Sequence, residues 1–227
     1  YLWLQDSLDG SRGSFHGELP GFEYSIFSKA IDERAEMFGD LPGPRIPKRQ
    51  RMVDALVAVA QDSFDSRPTP NGDITGRSDP LATVFVDGAL AATTDGEAGA
   101  EIEFGPRVGP GVLERILCGG RIQLVGLANG KPVAVSHATR AIPPATRRFV
   151  AWRDGGCTID GCHSRYRLQP HHIRFRSNGG DHDPDNLATL CWFHHHVVAH
   201  GMGLQLDPDR PPQRRRFLHP SHGADPP

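Results

Sequence analysis

Apolar residues in the first 65 positions recur at helical spacing. An amphipathic helix is predicted at Arg51–Phe64, because its apolar residues fall three or four positions apart. A shorter helix is predicted around Ser28–Met37, where Gly39 ends it, and the proline-rich connector Leu41–Pro47 separates the two helices. Residues 66–80 carry turn and breaker residues throughout, so a linker is predicted there.

Beyond the linker, the pattern of apolar and polar residues predicts short strands. Thr83–Asp87 and Glu101–Phe104 have the composition of strands and are separated by a loop rich in Gly, Ala and Thr. Ile122–Val125 and Pro132–Val135 alternate apolar residues on either side of Asn129-Gly130, a dipeptide typical of tight turns. This second pair predicts a hairpin.

Two further helices are marked by residues that favour helix ends. Gly111–Cys118 is followed by Gly119-Gly120, which is typical of a helix C-terminus. Pro143-Pro144 predicts the start of a helix through Arg153, because proline favours the first helical turn. These elements predict the α+β fold class, with a small α+β scaffold that leads into the C-terminal part of the chain.

Composition directs attention to one short segment. The 227 residues are 37% hydrophobic and include 26 Gly and 20 Pro, which fits a globular protein and excludes collagen, a coiled coil and wholesale disorder. Histidine is unusual, with 12 residues against 4 cysteines. Eight of the histidines and three of the cysteines lie between residues 157 and 200, so we expect the functional site in this segment.

Charge is distributed unevenly along the chain. The formal net charge of −2 combines 13 Lys and Arg against 19 Asp and Glu in residues 1–139 with 12 Arg against 8 Asp in residues 140–227. A basic C-terminal part suits a polyanionic partner. Random scatter of charge over a polar surface explains the same numbers equally well.

The cysteines and the hydropathy pattern bear on location. Cys118 is remote from the other three cysteines, which does not fit a disulfide framework, whereas cysteines among histidines are typical of metal ligands in a reducing compartment. The sequence has no run of 18 apolar residues, so no membrane partner is expected, and we expect a cytoplasmic location. The start at Tyr1 suggests a fragment of a longer protein.

Two pairs of metal-binding residues stand at the ends of this segment. Cys157-x4-Cys162 and Cys191-x2-His194 have the spacing of two knuckles that together bind one structural Zn²⁺. Gly156 and Gly161 give the first knuckle the backbone freedom to wrap around an ion. The alternative is that Cys157 and Cys162 are buried thiols or a disulfide.

A second set of chemically active residues lies within or just beyond these pairs. The knuckles already complete the shell of one zinc ion, so a further role is needed for five histidines and an asparagine. These residues are His171, His172, Asn186, His195, His196 and His200. A single histidine of this kind is usually a satisfied polar residue, but the adjacent pairs and the Gly179-Gly180 turn make coincidence a poor explanation.

The complete pattern resembles the zinc-containing HNH endonuclease domain. The residues that carry the resemblance are Cys157-x4-Cys162, Leu168-x2-His171-His172-Ile173, Gly179-Gly180, Asp185-Asn186-Leu187 and Leu190-Cys191-x2-His194-His195. The segment before it, with Ala138-Thr139-Arg140, Pro143-Pro144, Arg147 and Arg153–Cys157, resembles a large bacterial family in which an uncharacterised helical domain precedes a C-terminal HNH domain. This second resemblance implies that the natural protein extends N-terminal of Tyr1.

The resemblance implies a ββα-metal fold, in which a hairpin carries the histidine pair and a helix carries the last histidine. It places His171 and His195 as ligands of a catalytic cation, Mg²⁺ or Mn²⁺, and His172 as the general base. Asn186 falls on the asparagine that fixes the loop. Imidazole can take a proton from water, and a divalent cation can stabilise the leaving oxygen, so these residue types suit phosphodiester hydrolysis.

One departure from the family leaves the last ligand open. Members commonly have a histidine four residues after the final ligand, but here His200 is five residues after His195 and four after His196. Residues four apart share a face of an α-helix, which favours His196 with His200, whereas the alignment favours His195. We select His195 and keep His196 and His200 in reserve. The same run leaves the fourth zinc ligand, His194, uncertain by one position.

Several arginines could contact phosphates. The predicted nucleic-acid-binding residues are Arg165, Arg167, Arg174 and Arg176, and Arg214-Arg215-Arg216 could add non-specific affinity. The alternative is a solvated arginine face. Trp192 and Phe193 are interpreted as core residues rather than base-stacking platforms.

The sequence therefore predicts an uncharacterised α+β or helical scaffold at residues 1–149, an HNH nuclease domain at 150–207 and a mobile Pro- and Arg-rich tail at 208–227. The expected function is hydrolysis of DNA, which we expect to be double-stranded, by a metal-dependent endonuclease. One rival is a zinc-stabilised DNA-binding module without catalysis, which has no need for His172. A second rival is a metal-dependent regulator or toxin-like protein whose residues 1–149 bind a partner protein.

Overall fold

A computed structural model describes residues 1–6, 13–65, 81–87, 100–102, 107–108, 110–128, 131–137, 139–211 and 214–218. The predicted linker at 66–80 lies outside these residues. Backbone contacts divide the chain into two compact units, Tyr1–Asp79 and Pro80–Pro227. The predicted boundary at 149/150 falls inside the second unit, and the three predicted domain ranges stay a prediction.

The first unit contains a hairpin and two packed helices. Strands β1 (Leu2–Asp6) and β2 (Gly13–Gly17) pair antiparallel, and they precede helices α1 (Gly21–Gly39) and α2 (Lys48–Asp65). Both predicted helices are confirmed, although α1 begins at Gly21 rather than near Ser28. The buried side chains of this unit are Ile31, Ala35, Phe38, Ile46, Ala55 and Ala58.

The second unit begins with a six-stranded sheet. Its central strands β3 (Leu81–Asp87) and β6 (Arg121–Ala128) run parallel, and the other pairings are antiparallel. The remaining strands are β4 (Ala100–Ile102), β5 (Arg107–Val108), β7 (Lys131–Val135) and β8 (Thr139–Arg140). The β6–β7 pair confirms the predicted hairpin, whose turn at Asn129-Gly130 lies outside the described residues.

Two helices of this unit pack against its C-terminal part. Helix α3 (Pro110–Gly119) lies where the first helix of this region is predicted, and it ends in a backbone bond from Gly120 N–H to the Ile116 carbonyl. Helix α4 (Pro144–Asp154) begins at a proline and ends at Gly155, whose φ of 66° is the left-handed conformation that glycine favours. Both predicted helices are confirmed.

The C-terminal end of α4 is fixed to the strand that it packs against. Arg153 donates from Nη1 to the Pro184 carbonyl at 2.6 Å and from Nη2 to the Leu187 carbonyl at 2.7 Å, and it is paired with Asp154 at 2.7 Å. The other oxygen of the buried Asp154 carboxylate accepts the Thr189 N–H at 2.8 Å. This charged pair therefore satisfies backbone groups that the apolar core would leave without partners.

The C-terminal part consists of a short hairpin followed by a helix. Strands β9 (Gln169–His172) and β10 (Leu187–Leu190) pair antiparallel, with His171 opposite Ala188 and His172 opposite Leu187. The last helix, Phe193–Gly201, has π-type bonding and is called the π helix below. Trp192 and Phe193 are 2% exposed, which confirms that they are core residues.

Residues 214–218, part of the predicted mobile tail, form backbone pairs, and the range of the tail stays a prediction. Arg215 exchanges backbone hydrogen bonds with Thr158 and Asp160, each 2.9 Å long, and Phe217 forms a bridge with Leu206. Backbone pairing thus fixes this segment despite its charge and proline content. The tail beyond Leu218 lies outside the described residues.

The combination of helices and small sheets confirms the α+β fold class. None of the helices in the described ranges combines the length and the hydropathy that crossing a bilayer requires.

Candidate metal centres and the histidine pair

The four residues of the predicted knuckles come together in one cluster. The donor atoms of Cys157, Cys162, Cys191 and His194 all lie within 4.8 Å of one another. His194 directs Nδ1 at the sulfur atoms of Cys157 and Cys191, at 3.4 and 3.2 Å. This cluster, called centre 1 below, has the Cys₃His donor set of a structural zinc site and could hold zinc.

Local backbone geometry brings the sulfur atoms of centre 1 together. Gly161, with φ of 76°, allows the turn that ends in a bond from Cys162 N–H to the Ile159 carbonyl. All four cysteines of the chain are free thiols, which excludes the alternative of a disulfide. The neighbouring thiols of Cys162 and Cys191, together with burial, raise the pKa of Cys157. A divalent cation favours the thiolates and so offsets this cost.

A second cluster includes His171 of strand β9. The donor atoms of Cys118, His171, His195 and His200 also lie within 4.8 Å of one another, and this cluster is called centre 2. His171 and His195 are fully buried, and His200 is partly buried. Burial lowers the pKa of His171 and His195 well below the usual value, and that of His200 to about 3, so all three imidazoles are neutral at neutral pH.

The nitrogen atoms of centre 2 show that it fits a cation. Within the described part of the chain, His171 Nε2, both ring nitrogens of His195 and His200 Nε2 are buried without a hydrogen-bond partner. Buried polar atoms are otherwise almost always paired, and a neutral imidazole nitrogen is a good ligand for a transition metal. Neither donor group found in the described ranges contains a carboxylate, the ligand type that Mg²⁺ and Mn²⁺ prefer.

The π helix decides which histidines of the crowded run join centre 2. Its bonding advances more residues per turn than an α-helix, so residues five apart lie near one face, and His195 and His200 have ring centroids 4.7 Å apart. His196 is not in the cluster and packs instead on Trp192, with ring centroids 5.1 Å apart. Of the two reserve ligands, the structure therefore brings His200 and not His196 to His171.

Cys118 is the member of centre 2 that sequence reasoning missed. It lies 53 residues before His171 and near the end of α3, in the part of the chain assigned to the scaffold. Its thiol is buried, and burial raises its pKa to about 12. No local spacing connects this cysteine with the histidines, so its neighbours become visible only when α3 packs on the hairpin.

His172, the predicted general base, lies beside centre 2. Its Nδ1 is 3.2 Å from Cys118 Sγ, and its Nε2 is 3.0 Å from Nδ1 of His182, a residue that had no predicted role. Burial, with smaller contributions from His182 and Arg176, lowers the pKa of His172 to about 4. The ring is therefore neutral at neutral pH and has one nitrogen that can accept a proton.

Asn186 fixes the loop between β9 and β10. Its Oδ1 accepts the Arg174 N–H at 2.9 Å, and its Nδ2 donates to the carbonyls of Arg174 and Asp181 at 3.1 and 3.0 Å. A Cβ atom at Gly180 would collide with the Arg174 carbonyl, so only glycine fits under this amide. These bonds hold the backbone that follows His172.

The predicted phosphate-binding arginines differ in their surroundings. Arg165 is exposed, and Arg167 is partly buried. Arg174 and Arg176 are exposed but donate to the backbone carbonyls of Asn178 and Gly180. For the basic run 214–216 the structure corrects the expectation in part, because Arg215 is only 5% exposed and Arg216 is paired with Asp160 at 2.7 Å.

Comparison with protein families agrees with this geometry. Residues 156–193 match the family model described as HNH endonuclease. The match includes the three cysteines of centre 1 with His171, His172 and Asn186, and it ends before the histidines of the π helix. The C-terminal half therefore carries an HNH domain, which confirms the resemblance; the family proposed for the upstream segment stays a prediction. No curated protein and no solved structure matches the chain.

Proposed function

We propose that the HNH domain of this protein is a metal-dependent endonuclease that hydrolyses phosphodiester bonds in DNA. The observation that carries the proposal is the position of His172. A neutral imidazole stands on the hairpin beside three histidines, each of which has at least one buried ring nitrogen without a partner in the described chain. A module that only binds DNA needs neither of these features.

The cation would be held by His171 and His195, with His200 as a further ligand. A divalent ion at this place supplies Lewis-acid stabilisation of the charge that develops on the phosphate and on the leaving oxygen. The sequence favours Mg²⁺ or Mn²⁺ by family resemblance, whereas the imidazoles favour zinc or a similar transition metal. An activity assay therefore has to supply each of these ions separately.

His172 would act as the general base. We place the accepting lone pair on Nε2, because Nδ1 faces the thiol of Cys118. His182 contacts this atom and is less buried than His172, so its ring can move aside when phosphate and water enter. Asn186 holds the loop after His172 through its bonds to Arg174 and Asp181, which keeps the base in place.

The substrate would be double-stranded DNA. The exposed Arg165 is available for phosphate contacts, and Arg174 and Arg176 lie on the loop that follows the base. The acidic balance of residues 1–139 indicates that this part does not lie along the DNA. Because three thiols of centre 1 must stay reduced, we also propose a cytoplasmic location.

Plasmid nicking by His172→Ala tests the proposal. Purified parent protein is expected to nick supercoiled plasmid when a divalent cation is added. Loss of the base should reduce the rate by about 10²–10⁴-fold, with metal content and melting temperature retained. His163→Ala is the matched control, because His163 is exposed and lies outside both centres.

A His172→Ala variant that cuts as fast as the parent would contradict the assignment of the base. A parent that binds DNA but cuts it with none of the supplied ions would favour the second candidate, a zinc-stabilised DNA-binding module. The observation on the side of that candidate is that four protein donors surround centre 2, since closed four-ligand sites are usually structural.

A further inference from the structure

Cys118 comes to centre 2 from outside the HNH domain. The family match begins at residue 156, whereas Cys118 lies in α3, the helix that precedes strand β6. Its sulfur nevertheless lies within 4.8 Å of donor atoms of His171, His195 and His200. A metal site built with this thiol would therefore join the scaffold to the nuclease module.

The packing of α3 holds the thiol in this position. Glu114 is buried on α3 and accepts the backbone N–H of Arg176 at 3.2 Å, on the loop that follows the histidine pair. The next residue after the thiol, Gly119, is so close to the hairpin that a Cβ atom there would stand 2.8 Å from Gln169 Oε1 and 3.9 Å from the His195 ring. The thiol thus lies against both β9 and the π helix.

The three histidines of centre 2 fill only three of the four positions around a tetrahedral zinc ion. Three imidazoles supply three ligands, and within the described residues His171 Nε2, both nitrogens of His195 and His200 Nε2 are buried without a hydrogen-bond partner. Tetrahedral zinc takes a fourth ligand, and a thiolate is one that it favours strongly. We propose that Cys118 is the fourth ligand of centre 2 and that the resulting CysHis₃ set selects Zn²⁺ over Mg²⁺ and Mn²⁺.

The selectivity follows from the chemistry of the donors. Thiolate and imidazole prefer zinc and its neighbours in the transition series, whereas Mg²⁺ and Mn²⁺ prefer carboxylates, carbonyls and water. Among the Cys, His, Asp and Glu side chains of the described residues, centre 2 brings together one sulfur and three nitrogens. This replaces the Mg²⁺ or Mn²⁺ of the family resemblance with zinc as the ion that the site holds most tightly.

A different role for Cys118 has to be separated from this one. Its sulfur is also 3.2 Å from Nδ1 of His172, so the thiol could serve only as a hydrogen-bond partner of that ring. A hydrogen-bond partner leaves no sulfur in the coordination shell of the metal. Spectroscopy of the bound ion distinguishes the two roles directly.

The experiment uses the full chain, loaded with one equivalent of Zn²⁺ for centre 1 and then titrated with Co²⁺. Sulfur bound to Co²⁺ gives a charge-transfer band in the near ultraviolet, which nitrogen and oxygen ligands do not give. We expect the band for the parent, its loss in Cys118→Ser, and second-ion affinity weaker by about tenfold or more in that variant. His200→Ala is the matched control. It should weaken binding of the second ion, but the Co²⁺ that still binds should keep the sulfur band.

Two results would overturn the inference. The first is that the band is absent from the parent protein. The inference is equally overturned if Cys118→Ser retains the band, because the sulfur ligands would then be those of centre 1. The second is displacement of the second zinc ion by millimolar Mg²⁺. If Cys118→Ser does not fold, the parent still decides the question, because the intensity of the band per bound Co²⁺ scales with the number of thiolate ligands, which is one at centre 2 and three at centre 1.

The inference concerns the same site as the proposed function, where catalysis would require a zinc ion with four protein ligands to accept a phosphate oxygen as a fifth. The two can fail separately. Metal binding with a sulfur band and no cleavage would retain CysHis₃ coordination and reject the nuclease. Cleavage that depends on His172, with no sulfur band, would retain the nuclease and reject the ligand role of Cys118.

Discussion

His195 and His200 face each other across one turn of the π helix, with ring centroids 4.7 Å apart and planes at 75°. In an α-helix, residues five positions apart point in directions about 140° apart, so this pair could not share an ion. The wider turn of the π helix returns the chain to the same face after five residues. The extra residue in the histidine run is therefore accommodated by the type of helix.

The first prediction concerns the register of this run. His200→Ala should weaken binding of the second metal ion, because it removes a member of centre 2. His196→Ala should leave that affinity unchanged, although it removes a ring that packs on Trp192 and so lowers the melting temperature. Isothermal titration of both variants with Zn²⁺ measures the difference. Equal weakening by the two substitutions would show that the run adopts a different register.

The second prediction separates the base from its neighbour. His182→Ala removes the ring that contacts His172 Nε2, and we expect the nicking rate to stay within about tenfold of the parent, because the base itself is retained. His172→Ala should lose far more activity under the same conditions. The measurement is the initial rate of plasmid nicking at matched metal occupancy. If His182→Ala is the more damaging change, the roles of the two histidines are reversed.

The third prediction concerns centre 1. Cys157→Ser removes one of the three thiol ligands of centre 1, where a bound zinc ion would stabilise folding by an amount on the order of 10 kcal/mol. The variant is expected to lose the tightly bound zinc and to unfold at a markedly lower temperature, and strong chelators should have the same effect on the parent. Metal analysis and calorimetry measure both effects, with His163→Ala as control. A melting curve like that of the parent would remove the structural role of zinc.

The fourth prediction concerns α2 and depends on pH. Burial raises the pKa of Asp54, opposed by a hydrogen bond from Gln50, so the folded state favours the neutral carboxyl more than the unfolded state does. Folding is therefore penalised when Asp54 is ionised, and the penalty is relieved as the pH falls and the carboxyl takes up a proton. Asp54→Asn should stabilise the chain at pH 7 by a few tenths of a kcal/mol, since solvent screens this half-buried group.

Denaturant titrations of the parent and of Asp54→Asn at pH 7 and near pH 4 measure this effect. The gain in the free energy of unfolding should shrink at the lower pH, where a larger fraction of the parent carboxyl is protonated. A gain that grows as the pH falls has the wrong sign for a raised pKa. It would mean that the Asp54 carboxylate is stabilised in the folded chain.

Much of the candidate site could be predicted because its signals are local. The spacing of Cys157 with Cys162 and of Cys191 with His194 is set by the short turns that hold a zinc ion, and the structure brings these four donors together. The turn at Gly180 likewise needs a residue without Cβ. Such constraints act within a few residues and are visible in a single sequence.

Other features depend on contacts between distant segments. The segment at 214–218 is fixed by backbone bonds to Thr158 and Asp160 rather than by periodicity. His182 contacts His172 because the loop that Asn186 fixes returns to the histidine pair. Sequence patterns report what a segment can form, and packing selects among the possibilities.

The sequence by itself determined the α+β class, the knuckles of centre 1 and the HNH pattern with its histidine pair, because each is specified by residue type at short range. Only the tertiary structure decided centre 2. Cys118 reaches His171 across 53 residues through the packing of α3, and His200 rather than His196 joins it through the π helix. Both depend on how buried side chains fit against the hairpin, and no local spacing encodes that fit.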